Sequence, residues 1–93
     1  MTMLKLLSST SNMIIKYFAW IKDITNKDYD EIKNNHPKTI NELKKLLSEL
    51  YPDLEKHISK DILRYAVNME YTSINETLTS KDEIAVFPPV SGG

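Results

Sequence analysis

Apolar and polar residues alternate from Ile14 to Lys22 in the run IIKYFAWIK, the period of a β-strand with two unlike faces. Ile15, Tyr17, Ala19 and Ile21 fall on one face, and Lys16, Phe18, Trp20 and Lys22 on the other. The charged ends of the second face turn it toward solvent, which leaves Phe18 and Trp20 exposed on it. TNKD at 25–28 supplies turn chemistry from Asn and Asp. YDEIKNN then reads as a weaker strand anchored by Ile32. From there the period lengthens. Ile40, Leu43, Leu46, Leu47 and Leu50 recur at three and four residues and predict one apolar helical stripe. Thr39 and Glu42 have the spacing of a capping box, and Pro52 stops the helix because the residue before a proline avoids the α region. DLEKHISKD holds a short helical turn around Leu54 and Ile58. ILRYAVNMEYTS reads as a hairpin turning near Asn68 and Met69, and EIAVF as a last strand.

The order β-β-α-β-β-β predicts an α+β domain, with one main helix packed on one face of a mixed sheet. That describes a β-grasp. Ile84 and Val86 of the last strand belong to the helix-covered face, Ala85 and Phe87 to the open one. If the first and last strands are neighbours, Phe18, Trp20 and Phe87 form an exposed apolar patch of the kind that marks partner surfaces.

At 93 residues the chain has room for one domain and one modest core. Twelve basic against thirteen acidic residues leave a net charge of −1, without the basic excess of a nucleic-acid binder. The absence of cysteine excludes disulfides, thiolate metal sites and a cysteine nucleophile, and fits a reducing, cytoplasmic setting. Nothing approaches a membrane span. Residues 1–12 read as a flexible leader or an early start, too short in their apolar part for a signal peptide and lacking the arginine of a mitochondrial presequence. The folded domain is expected over 13–87. The sequon Asn75-Glu76-Thr77 is then silent.

No active site is legible within the chain. His36 and His57 have no ligand spacing and read as ordinary surface histidines. Asn26, Asp28 and Asp30 begin like a calcium loop, but Glu31 and Pro37 stand where such a loop needs Gly and Glu. The pairs Asp30-Glu31 and Asp82-Glu83 are solvated turn or edge residues more simply than an acid/base couple. Without an internal glycine there is no phosphate-cradling loop. No metal site is expected.

The two glycines of the chain are Gly92 and Gly93. Pro88 and Pro89 fix φ and remove two amide donors, so the chain leaves the sheet and extends. Residues 88–93 reach about 20 Å at roughly 3.3 Å per residue, and glycines without side chains suit passage through a narrow channel. The reactive group on such a tail is the α-carboxylate, ionised at neutral pH with a pKa of about 3.3–3.7. A carboxylate is a poor electrophile. Its use requires activation, most economically adenylation with ATP by a separate enzyme. A frayed terminus without a role accounts equally well for the glycines alone.

The string LTSKDEIAVFPPVSGG resembles the C-terminus of the small subunit of molybdopterin synthase, the ubiquitin-like sulfur carrier of molybdenum-cofactor synthesis. YFAWIKDI is similar to that family's first strand, KTINELKKLL to its helix and YAVN to its third strand, so the likeness spans residues 13–93. The resemblance implies a carrier without catalytic residues of its own. An E1-like adenylating enzyme would use ATP to activate Gly93, and a sulfur donor would convert the acyl-adenylate to a thiocarboxylate. The tail would then enter the large, catalytic subunit and give its sulfur to cyclic pyranopterin monophosphate, forming the dithiolene. In that reading Gly93 carries the sulfur, Gly92 gives clearance, and Pro88, Pro89, Val90 and Ser91 set the path. Phe18, Phe87 and Tyr71 dock on the large subunit, and the complex is a heterotetramer. No cofactor is held permanently.

Two positions depart from the family. Lys22 stands where arginine is common, and Lys81 where a glycine is common, which would strain Lys81 if its turn needs positive φ. The alternatives are a carrier for thiamine or tRNA thiolation, a ubiquitin-like modifier joined to lysines, and a binding module using the aromatic patch.

Overall fold

A computed structural model describes residues 12–71 and 76–89, with the backbone alone for Tyr71. Its elements are β1 (Met13–Tyr17), α1 (Trp20–Thr25), β2 (Tyr29–Ile32), α2 (Ile40–Leu50), α3 (Pro52–Ser59), β3 (Arg64–Val67), β4 (Glu70–Tyr71) and β5 (Glu83–Phe87). The strands form one five-stranded sheet in the order β2-β1-β5-β3-β4. β1 and β5 run parallel at its centre, with Ile15 opposite Ile84 and Tyr17 opposite Val86. The other pairs are antiparallel. This is the expected mixed sheet, with the first and last strands as neighbours.

Alternation along these strands decides what is buried. Met13, Ile15, Tyr17, Tyr65, Val67, Ile84 and Val86 face the helices and join Ile40, Leu43, Leu47, Leu54, Leu63 and Leu78 in one core. On α2 the stripe buries Ile40, Leu43 and Leu47, worth about 1.5–3 kcal/mol each. Leu46 is half-buried and Leu50 is exposed, so the stripe is narrower than the spacing implied. The capping box forms. The Thr39 hydroxyl accepts from the Glu42 amide at 3.1 Å, while the Glu42 carboxylate accepts from the Lys38 amide at 2.8 Å. Pro52 ends α2 and also opens α3 at its first turn, where its missing amide costs nothing. The turn expected around Leu54 and Ile58 is therefore an eight-residue helix.

The first strand is shorter than its alternation predicts. β1 ends at Tyr17, and Ala19 takes φ 56° and ψ −138°. That left-handed step swings Trp20–Thr25 into α1, which buries Ile21 and Thr25 one turn apart. Ile21 reaches the core from a helix, and Trp20 leaves the sheet's open face altogether. The Trp20 ring packs instead against His57 of α3, 4.8 Å between centroids.

The internal turns manage without glycine. Asn26, Asn35, Asp61 and Asn68 adopt positive φ, which Asn and Asp tolerate best among non-glycine residues. Ala19 and Met69 (φ 72°) do so as well, and neither has that tolerance. Asn68 and Met69 with consecutive positive φ form the primed turn that fits a two-residue hairpin between β3 and β4. Lys81 is not among these residues, so the left-handed strain that a turn of positive φ would place on it is absent.

Candidate functional site

The site is built around the end of β5. Its backbone is bonded on both sides up to Phe87, which pairs with Arg64 of β3, while the Phe18 amide donates to the Val86 carbonyl at 3.1 Å. Pro88 and Pro89 then carry the chain off the sheet without amide donors. Because β1 and β5 are parallel, Phe18 at the end of one lies beside the exit of the other. Phe18 is 46% exposed and Phe87 half-buried. The predicted patch thus keeps Phe18 and Phe87 and loses Trp20. Tyr71 pairs with Ala66 on β4, and its side chain lies outside the described residues. So do Val90, Ser91, Gly92 and Gly93.

The open face carries Ile14, Lys16, Glu83, Ala85, Arg64 and Ala66, the residues that alternate with the core positions. Lys16 and Glu83 form an ion pair across β1 and β5 at 2.5 Å, both ends about half exposed, which limits its contribution to at most about 1 kcal/mol. Between them and Phe18 runs a mostly apolar groove, completed by Ala85 and by Met69 at the hairpin tip. Alternation could not reveal Met69, because a turn residue belongs to neither face. At 91% it is the most exposed of the large hydrophobic residues described.

Two polar clusters brace the sheet. At one end, the Asp82 carboxylate accepts from the Asn68 side chain at 2.9 Å and from the Thr79 amide at 2.8 Å. The Asn68 side-chain oxygen accepts from the Glu83 amide at 3.0 Å. Burial works to raise the Asp82 carboxyl, but the bonds from Thr79 and Asn68 outweigh it and hold the group below the usual carboxylate range. The cluster ties the β3–β4 turn to the start of β5. Asp82 is thus held by Asn68 and Thr79, and Glu83 by Lys16.

Beneath the sheet, Asp30 of β2 accepts from the Tyr17 hydroxyl at 2.7 Å, from the Lys27 ammonium at 2.9 Å and from the Tyr51 hydroxyl. Burial opposes ionisation of Asp30, and the donors from Tyr51, Lys27 and Tyr17 more than compensate, lowering its pKa. Burial first and Asp30 second push the Tyr17 phenol far above its ordinary range. Both tyrosines stay neutral donors, and the cluster joins β1, β2 and the α2–α3 junction. Tyr65 differs: its buried hydroxyl has no hydrogen-bond partner, although the Lys44 ammonium lies 5.7 Å from the ring centroid.

Among the described residues no three His, Cys, Asp or Glu side chains gather as a metal site, and no helix is long and apolar enough to cross a membrane. His36 lies in the loop between β2 and α2 and His57 on α3, where the Trp20 ring engages it.

A mixed five-stranded sheet with parallel central strands, a helical layer on one face and an open face on the other defines a ubiquitin-like β-grasp domain. Comparison with known proteins narrows this class. A model described as the ThiS family matches residues 15–93. The molybdopterin synthase sulfur carrier subunit of Dictyostelium discoideum is 35% identical over 83 residues, covering 85% of this chain and 93% of that one. Among solved structures, SAMP1 of Haloferax volcanii, a small archaeal modifier protein, is 26% identical with a TM-score of 0.73, covering 88% of this chain and 99% of its own. Subunit 1 or 2 in the protein–protein complex of molybdopterin-converting factor from Helicobacter pylori is also 26% identical, with a TM-score of 0.63 and coverage of 88% and 99%. The chain belongs to the ThiS family.

Proposed function

We propose that this chain is the sulfur-carrier subunit of a molybdopterin synthase and works in the cytoplasm. The observation that carries the reading is the passage of β5 from the bonded centre of the sheet through Phe87 into Pro88-Pro89, beside the exposed Phe18. The match of the family model through Gly93 and the Dictyostelium relative support it. An E1-like enzyme joins the Gly93 carboxylate to AMP, releasing pyrophosphate from ATP. A sulfur donor then displaces AMP and leaves a thiocarboxylate. Pro88 to Gly92 conduct that terminus into the large subunit, where the sulfur passes to cyclic pyranopterin monophosphate. Phe18 and Phe87 supply the apolar part of the docking surface. The Helicobacter complex of subunits 1 and 2 supports a large-subunit partner.

The test is the intact mass of the protein after incubation with ATP, a cognate activating enzyme and a sulfur donor. Exchange of one oxygen for sulfur at Gly93 is expected, and its removal by deleting Gly93 should leave the melting temperature unchanged. No exchange, with the enzyme active on a control carrier, would overturn the proposal. A second reading, attachment to lysines as a protein modifier, draws on the likeness to SAMP1. It requires isopeptide-linked conjugates in cell extracts.

A further inference from the structure

Met69 is an odd residue for its position. The second central residue of a primed hairpin turn favours glycine or asparagine, yet methionine sits there at φ 72°. The turn itself gains nothing from the thioether. Its side chain is 91% exposed and helps to line the open-face groove with Phe18, Ala85, Lys16 and Glu83. The other described methionine, Met13, is fully buried in the core. Phe18, which lies beside the point where the chain leaves β5, also lines this groove together with Glu83 and Ala85 of that strand, so the groove continues the docking surface proposed at Phe18 and Phe87. Methionine suits such a place because it is long, unbranched and polarisable, and moulds to apolar side chains.

The same thioether is chemically vulnerable. A peroxide is attacked by the sulfur lone pair; the O–O bond breaks, an S–O bond forms, and the departing hydroxide takes a proton to become water. Sulfur is oxidised by two electrons and the peroxide is reduced by two. The product is a polar, chiral sulfoxide that sulfoxide reductases return to methionine.

We propose that Met69 is an oxidation-sensitive docking residue: its thioether forms one wall of the groove that the large subunit covers, and conversion to the sulfoxide weakens that complex. The proposal rests on the carrier reading above for the identity of the partner. Full-length protein is treated with dilute hydrogen peroxide, oxidised sites are mapped by peptide mass, and affinity for the large subunit is measured before and after. Whatever the state of Met1 and Met3, we expect one oxygen on the Met69 peptide while Met13 is spared, and an unchanged melting temperature. Affinity should fall on the order of tenfold, as when an interface side chain loses its apolar contact. A methionine sulfoxide reductase should restore it, and Met69→Leu should bind like the untreated protein while resisting peroxide. Unchanged affinity with Met69 oxidised overturns the proposal, as does an equal loss in Met69→Leu. Failure of the untreated protein to bind at all is a different result: it removes the carrier reading, and this proposal with it.

Discussion

Replacing Ala19 by glycine should stabilise this protein, against the usual direction of that substitution. At ordinary φ an Ala→Gly change costs about 0.5–1 kcal/mol through the added freedom of the unfolded chain. Ala19 instead sits at φ 56°, ψ −138°, where its Cβ crowds the backbone at a cost of about 1–3 kcal/mol. The conformation is held from both sides. The Phe18 amide is bonded to Val86 at 3.1 Å, and the Lys22 amide donates to the Ala19 carbonyl at 3.0 Å. Glycine removes the strain and returns part of the gain to the unfolded state. The difference is a net stabilisation of about 1 kcal/mol, or a rise in Tm of about 4–8 °C for a domain of this size. Differential scanning calorimetry and circular dichroism would read it. Ala85→Gly is the control, because Ala85 lies within β5 and glycine weakens a strand interior; its Tm should fall. If Ala19→Gly also lowers Tm, the left-handed step is not strained and the reasoning fails.

Tyr65→Phe removes a buried hydroxyl that has no protein partner, so stability should be unchanged or raised by up to about 1 kcal/mol. A loss of roughly 2 kcal/mol or more, the cost of an orphaned partner, would reveal a bond made by that hydroxyl. Asp82→Asn should destabilise by about 1 kcal/mol at neutral pH, since the amide offers one acceptor oxygen where the carboxylate offers two, and the bond from Asn68 or from Thr79 is lost with the charge. The sign with pH follows from the lowered carboxyl pKa. The Asp82 contribution is complete above the unfolded-state value of about 3.9 and disappears as pH falls through the folded value. Urea titrations between neutral and acid pH should therefore show the variant and the parent converging at low pH; parallel curves would exclude the ionised clamp.

Much of this fold is written in local pattern. Thr39, Glu42 and Pro52 bound α2 because capping and proline sterics need no distant partner. Asn68 marks the hairpin because its side chain tolerates the left-handed region. The nine-residue alternation from Ile14 misled for a definite reason. Trp20, Ile21, Ile24 and Thr25 fit a short helix as well as a strand, and the break between them is an alanine at positive φ, where a glycine would have announced it. Other features depend on long-range closure. Tyr17 and Tyr51 meet on Asp30 from 13 and 21 residues away, and the groove wall at Met69 belongs to a turn. Neither has a periodic signature. The end of β5 at Phe87 was legible because the prolines that follow act through their own geometry, whereas the parallel pairing that places Phe18 beside it exists only in the folded sheet.

That parallel pairing also determines how the domain bears a load. β5 is bonded to β1 on one side and to β3 on the other. A pull on the segment beyond Phe87, directed along the strand, loads those hydrogen bonds in shear, many together, instead of peeling them apart one by one as at a hairpin end. Force applied beyond Phe87 is therefore borne by the whole central strand at once, flanked as it is on both edges. The domain can thus be pulled from its C-terminal side without being unravelled one hydrogen bond at a time.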